Sequence, residues 1–483
     1  MADYDVIVIG AGVVGPCLAT IMARQGRKVL IVERDWSMPN RIVGELLQPG
    51  GLNALKEMGM IGAISHIGAI PVKGYCVSNY GQKVDIPYPS KDRQPRLTPV
   101  PGCVFGGNDK FQSDESLDFE EWDQDDCVRG VSFHHGDFLQ NLREICKREP
   151  NVTWKQCNVV SLIKEGEAVK GINALTDDKT KVSYTALQTF CCDGIYSKFR
   201  KTLSEKNVPK IESYFVGLTL KDAVLPKSQH GNVILGNHAP VLIYQISEHD
   251  SRVLCAYPSA KLPPRQQVQE YLSTNVLPDL PECVKPSFKE ALEQEYRSMP
   301  NQFLTAKPNT VPGVIFVGDA LNMRHPLTGG GMTVGLNDAA LLGKFLSPVE
   351  IPDLSDSQAV LEQLSKFHKE RKNLDSVINV LSIALYSLFA ADSSALNILK
   401  NGCFRYFERG GECVTGPVSL LAGMTPKPFV LFNHFFSVAL YGIMINFRKR
   451  GWAGVHLAIV ECFVTLYTAV VVFTPYLAGE LFS

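Results

Sequence analysis

DVIVIGAGVVGPCLATIMARQGRKVLIVER, residues 5–34, decides the fold. A short apolar run rich in β-branched residues meets a glycine-rich turn, continues into an apolar segment long enough for a helix, and returns to a second apolar run, KVLIVER. That succession predicts a strand, turn, helix and strand with the strands parallel and buried. Gly10, Gly12 and Gly15 carry the spacing of a dinucleotide fingerprint, with Val13 and Val14 between them. Glycines there allow a tight turn, close approach of a pyrophosphate and close helix-to-strand packing, and the helix amides would hold the phosphates. Glu33 ends the second strand, where a carboxylate can accept ribose hydroxyls.

Around this unit, 483 residues exceed what one core supports, so two or three domains are expected. Lys plus Arg number 48 against 49 acidic residues, a balance that provides no field for nucleic acid. The 13 cysteines contain no CxxC pair, which fits reduced thiols facing the cytosol. A strand pattern within a few residues of Met1 leaves no room for a secretory signal. His134-His135 has no companion ligand at suitable spacing and reads as structural, so no metal is expected.

Two later motifs point to flavin. Asp193-Gly194 opens a DGxxSxxR stretch that ends at Arg200, and Gly318-Asp319 precedes Gly329-Gly330-Gly331-Met332. Three motifs in this order resemble flavoprotein monooxygenases of the hydroxybenzoate hydroxylase type. Asp319 at a strand end could bond a ribityl chain, while backbone at Gly330, Gly331 and Met332 can approach an isoalloxazine. The expected class is α/β: a Rossmann-like FAD domain (1–72, 129–208 and 300–365), a substrate domain on an antiparallel sheet (73–105 and 209–299), and a helical membrane-associated region (366–483). Segment 106–128, with nine acidic residues and one lysine, reads as a solvated insertion.

RIVGELLQPGG (41–51), GYCVSNYGQKVDIPYP (74–89) and GDALNMRHPLTGGGMTVG (318–335) look like the squalene epoxidase family, fungal type. The resemblance covers nearly the whole chain. It places flavin contacts on Val13, Glu33, Arg34, Arg41, Arg143, Val159, Asp319 and Met332, and a catalytic tyrosine on Tyr75 with Gln48 as its hydrogen-bond partner. It implies squalene and O2 as substrates, FAD as cofactor, NADPH as indirect electron source through NADPH-cytochrome P450 reductase, and the cytosolic face of the endoplasmic reticulum or lipid droplets as location. Direct transient NADPH binding is the alternative, since no second nucleotide unit appears.

Reduced flavin can activate O2 for transfer to an electron-rich alkene without a protein nucleophile, provided water is excluded. The pocket should be dry and aromatic, with Leu385, Phe389, Phe407, His434, Phe435 and Phe436 as candidates. Each of these could equally be ordinary core. Phe429–Phe447 and Cys462–Gly479 approach membrane-spanning length, but His456, Glu461 and Pro475 interrupt the second. Helices inserted from one face are favoured over two full spans, with Arg448-Lys449-Arg450 at the headgroups. Two other readings share the motifs: a flavin-dependent polyprenyl reductase, which consumes no O2, and a lipid-escort protein without redox chemistry.

Overall fold

In the computed structural model, residues 2–105, 126–203, 205, 207–390 and 393–481 are described. Most of the acidic insertion, 106–125, lies outside them. Strand Tyr4–Ile9 sits in the middle of the first sheet, parallel to Val29–Glu33 on one side and to Lys181–Cys191 on the other. Its residues alternate between two cores: Val6 and Val8 join Ile21, Phe138 and Leu336 on one face, and Ile7 and Ile9 join Leu30, Val169 and Phe316 on the other. The helix Val14–Arg24 covers the first of these faces.

The 11-residue strand Lys181–Cys191 does two jobs. Its first half forms an antiparallel pair with Ala168–Leu175, and its last three residues pair in parallel with Val314–Phe316. In register, Ile9 lies opposite Cys191 and Cys191 opposite Phe316. The three motif turns, 10–15, 193–197 and 318–320, therefore leave adjacent parallel strands at the same edge, the carboxyl end where open α/β sheets bind ligands.

The second sheet runs in the order Arg297–Phe303, Lys210–Lys221, Asp250–Tyr257, Val241–Gln245, Gly231–Leu235, Gly74–Asn79, Gln82–Pro87. It is antiparallel except where Gly231–Leu235 runs parallel to Gly74–Asn79. The boundary expected at 300 falls inside its edge strand, where Pro300 is tolerated because an edge strand has one side free of ladder bonds. One face packs on the helices Arg265–Tyr271 and Lys285–Glu293, and the other meets the C-terminal helices. A small sheet of Leu46–Leu47, Gly130–Ser132 and Ile70–Val72 joins the two layers.

Beyond 356 the chain is helical. Asp356 caps the helix Ser357–Phe389 by accepting from the Ala359 amide at 3.0 Å. Arg371 in its middle is fully buried and bound to Asp338 and Asp375, which fixes this helix against Gly330–Phe345. Helices Ser394–Phe407, Glu412–Leu421, Pro428–Arg450 and Val455–Leu481 follow. Gly402 and Gly442 face each other so closely that a Cβ on Gly402 would come within 2.6 Å of the Gly442 Cα, so two helices meet backbone to backbone.

Candidate active site

The glycine turn is shaped for a bound group. Gly10 has φ of +95°, and a Cβ there would meet the Cys192 carbonyl oxygen at 2.6 Å. A Cβ on Gly15 would collide with the Gly10 carbonyl, whereas one on Gly12 would meet nothing within 4 Å. Two glycines thus serve packing, and the third leaves open space where a pyrophosphate would lie. Val14 fills the slots left by Gly318 and Gly335, fastening this turn to the late motif.

Polar side chains hold the same edge. Glu33 accepts from the Ala11 amide at 2.6 Å and from the Arg34 and Asp35 amides at 2.9 and 3.1 Å. Arg143 is buried rather than lying on a helix surface, and donates to the carbonyls of Ala11, Ser37 and Asp35. Arg200 ties the two other turns together, donating to the Gly194 and Ile195 carbonyls and to those of Asp319 and Ala320 at 3.0 and 3.1 Å. The Asp193 carboxyl is pushed up by burial, and its Oδ1 has no hydrogen-bond partner. The Asp319 carboxyl is also pushed up by burial, with Arg324, Arg41 and Arg200 opposing. The Asp319 side chain remains accessible at the strand end.

Arg34 and Arg41 are exposed on the following loop, Met332 lies beside Gly44 of that loop, and Val159 packs with Val32 and Cys157 below the Glu33 end. His135 donates through Nδ1 to the Gly44 carbonyl, 2.9 Å away, and its burial holds the imidazole down to about 4. Among the described residues no cluster suits a metal.

Beside the 326–328 turn, Gln48 donates through Nε2 to the Tyr75 hydroxyl at 2.5 Å and to the Thr328 carbonyl at 2.8 Å, while Tyr88 donates to its Oε1. Because a carbonyl can only accept, the orientation of the Gln48 amide is fixed. Tyr75 is buried, its ring lies over Gly231 on the adjacent strand, and burial pushes its hydroxyl up to about 12. The phenol therefore stays protonated, and its hydroxyl lies 3.5 Å from the Thr328 carbonyl. Tyr88 was not singled out from sequence, although it lies in the quoted stretch 74–89.

Residues 185–460 match the family model for squalene epoxidase. The chain is 55% identical to the squalene epoxidase of Candida albicans, over 99% of each chain. The chain belongs to the squalene epoxidase family. Identity to the Saccharomyces cerevisiae squalene epoxidase is 51%, over 99% of this chain and 96% of that one. The fold is that of p-nitrophenol 4-monooxygenase from Pseudomonas putida, with a TM-score of 0.65 at 16% identity, covering 90% of this chain and 98% of that one.

In this squalene epoxidase family chain the apolar candidates divide. Phe389 is buried in one cluster with Tyr75, Leu46 and Leu327, and Leu385 and Phe407 pack against it. His434, Phe435 and Phe436 stand on Pro428–Arg450 instead. His434 bonds the Tyr406 hydroxyl through Nδ1 at 3.0 Å, Phe435 packs against Leu381 and Leu420, and Phe436 meets the exposed Phe432 in a tilted ring contact with centroids 4.5 Å apart. Only Phe435 connects back, because Leu385 borders both clusters. Two depressions of about 210 and 280 Å³ open elsewhere, the first lined by Glu57, Lys344 and Glu370 and the second by Glu165 and Lys170. Neither depression is lined by Tyr75 or Asp319.

Sequence reading missed two supports. Arg252 grips Glu45 through paired bonds of 2.7 and 2.8 Å, both side chains buried, linking the 41–51 loop to the second sheet. His325 accepts from the Leu327 amide, meets Ser213 at 3.2 Å and stacks on Tyr386 with centroids 4.0 Å apart. An acid inside an apolar run, GELL, is the one signal that could have flagged Glu45.

Proposed function

We propose that this chain carries out the FAD-dependent epoxidation of squalene to (S)-2,3-oxidosqualene, using O2 and electrons that originate in NADPH, in sterol biosynthesis. The contact that carries this reading is Gln48 bridging Tyr75 to the Thr328 carbonyl, because it joins the aromatic cluster to the loop that would carry the flavin. When bound, FAD supplies activated oxygen. Gly12 leaves room for its pyrophosphate, Glu33 and Asp319 offer carboxylates to its ribose and ribityl hydroxyls, and Gly331, whose Cβ position is also open, lets the ring approach. Tyr75 is held as a neutral donor at the boundary between cofactor and substrate, and Leu385, Phe389 and Phe407 exclude water on the substrate side.

Squalene has no polar handle, so its affinity must come from buried apolar area, about 25 cal/mol per Å2. Pro428–Arg450 and Trp452–Val471 are long and apolar enough to cross a membrane, and they expose Phe429, Trp452, Phe463 and Tyr467. Glu461 pairs with Arg450 and accepts from Asn446 at 2.7 Å partway along this hairpin, which supports insertion from one face. That arrangement delivers a membrane-dissolved substrate without a passage through water, on the cytosolic face of the endoplasmic reticulum. NADPH-cytochrome P450 reductase is the electron donor in this reading.

Incubation with squalene, reductase, NADPH and FAD should yield the epoxide by mass spectrometry, with coupled oxygen uptake. Peroxide alone from dispersed substrate would defeat the assignment, and colourless protein after gentle extraction would favour a lipid escort. Tyr75→Phe should keep its flavin absorbance while turnover falls about tenfold or more, the effect expected from one lost hydrogen bond near the reacting centre. Unchanged turnover would remove Tyr75 from the reaction.

A further inference from the structure

Glu480 stands in the last turn of Val455–Leu481, and its side chain is fully buried. Two things disfavour a carboxylate there: burial of charge is costly, and a helix C-terminus repels an anion. Its partners account for it. Oε2 accepts from Lys372 at 2.8 Å, and Oε1 accepts from Asn379 at 2.8 Å. The same Asn379 amide reaches the Asn322 side-chain oxygen at 3.3 Å, and Asn322 is bound by Arg324 and donates to the Leu304 carbonyl at 2.7 Å.

Asn322 and Arg324 belong to the loop that begins at Asp319. Arg324 is buried, with Nε and Nη1 lacking partners, and it is the strongest favourable charge on the Asp319 carboxyl. We infer that Glu480 is a positioning residue for the flavin-binding loop: through Asn379 and Asn322 it fixes Arg324 behind Asp319, so that the end of the lipid-facing hairpin sets how tightly FAD is held. This rests on the flavin site proposed above. Tyr476, one turn earlier, packs edge-on against Phe303 at 5.4 Å, so the helix end is docked by apolar contact independently of the relay. Glue and relay can therefore be separated.

The test is titration of the full-length apoprotein with FAD, alongside its melting temperature. Glu480→Leu restores packing but breaks the relay, and it should weaken FAD binding about tenfold, or about 1.4 kcal/mol. Glu480→Gln keeps an acceptor for Asn379 and should bind FAD within about twofold of the parent. Asn379→Leu should match Glu480→Leu, and the double variant should lose no more than either alone, the signature of one shared path. Asn379→Leu alone tests the relay if Glu480→Leu fails to fold. FAD affinity within twofold of the parent for both leucine variants overturns the inference. Retention of FAD by Asp319→Ala would instead overturn the placement of the flavin.

Discussion

At the cradle, adjacent strand ends and the buried guanidinium groups of Arg143 and Arg200 fix main-chain atoms through directed hydrogen bonds. At the apolar wall, Leu385, Phe389 and Phe407 reach Tyr75 by packing alone. The first construction accepts no added atom at Gly10 or Gly15, where backbone of a neighbouring turn already occupies the Cβ position. The second tolerates exchange as long as volume and apolarity are kept. Precise recognition is thus concentrated on the cofactor side, and shape selection on the side of a featureless chain.

Acid should produce the largest effect, and it should strike both regions. Burial lowers His135, at the cradle, to about 4 and His325, at the wall, to about 3. Their neutral forms are favoured in the fold and their unfolded forms titrate near 6.5, so the stability they contribute is intact above that pH. It is lost as pH falls toward the folded values, at about 1.4 kcal/mol per unit for each group. Urea midpoints of the apoprotein should drop clearly between pH 7 and pH 5, and a flat profile would show that the two imidazoles are not buried neutral.

A smaller effect separates packing from binding within the cradle. Gly15→Ala pushes a methyl against the Gly10 carbonyl and should destabilise the apoprotein by about 1–3 kcal/mol. Gly12→Ala faces open space and should leave the melting temperature in place while weakening FAD binding. Equal melting temperatures for the two variants would remove the distinction. The smallest change is expected at the wall, where Phe389→Leu should cost less than about 1.5 kcal/mol and shift turnover between squalenoid chains of different length more than FAD affinity. A loss of FAD there would mean that wall and cradle are not independent.

The same contrast explains what could be read in advance. Glycine spacing at 10–15 is a backbone requirement written directly into sequence, and the strand-end acids at 33, 193 and 319 follow from register. An apolar stripe carries no such mark: Phe389 and Phe436 are equivalent as letters, yet one is buried in the cluster with Tyr75 and the other lies against the exposed Phe432. Glu45 and Arg252 lie 207 positions apart, a pairing that no local pattern announces.

Within a bilayer, the close meeting of Gly402 and Gly442 acquires a separate importance. Lipid tails are as apolar as leucine, so expulsion of water cannot press two immersed helices together, and adhesion depends on how closely main chains approach. A side chain at 402 or 442 would force Ser394–Phe407 and Pro428–Arg450 apart, and if the latter lies in lipid, no expelled water would offset the lost contact.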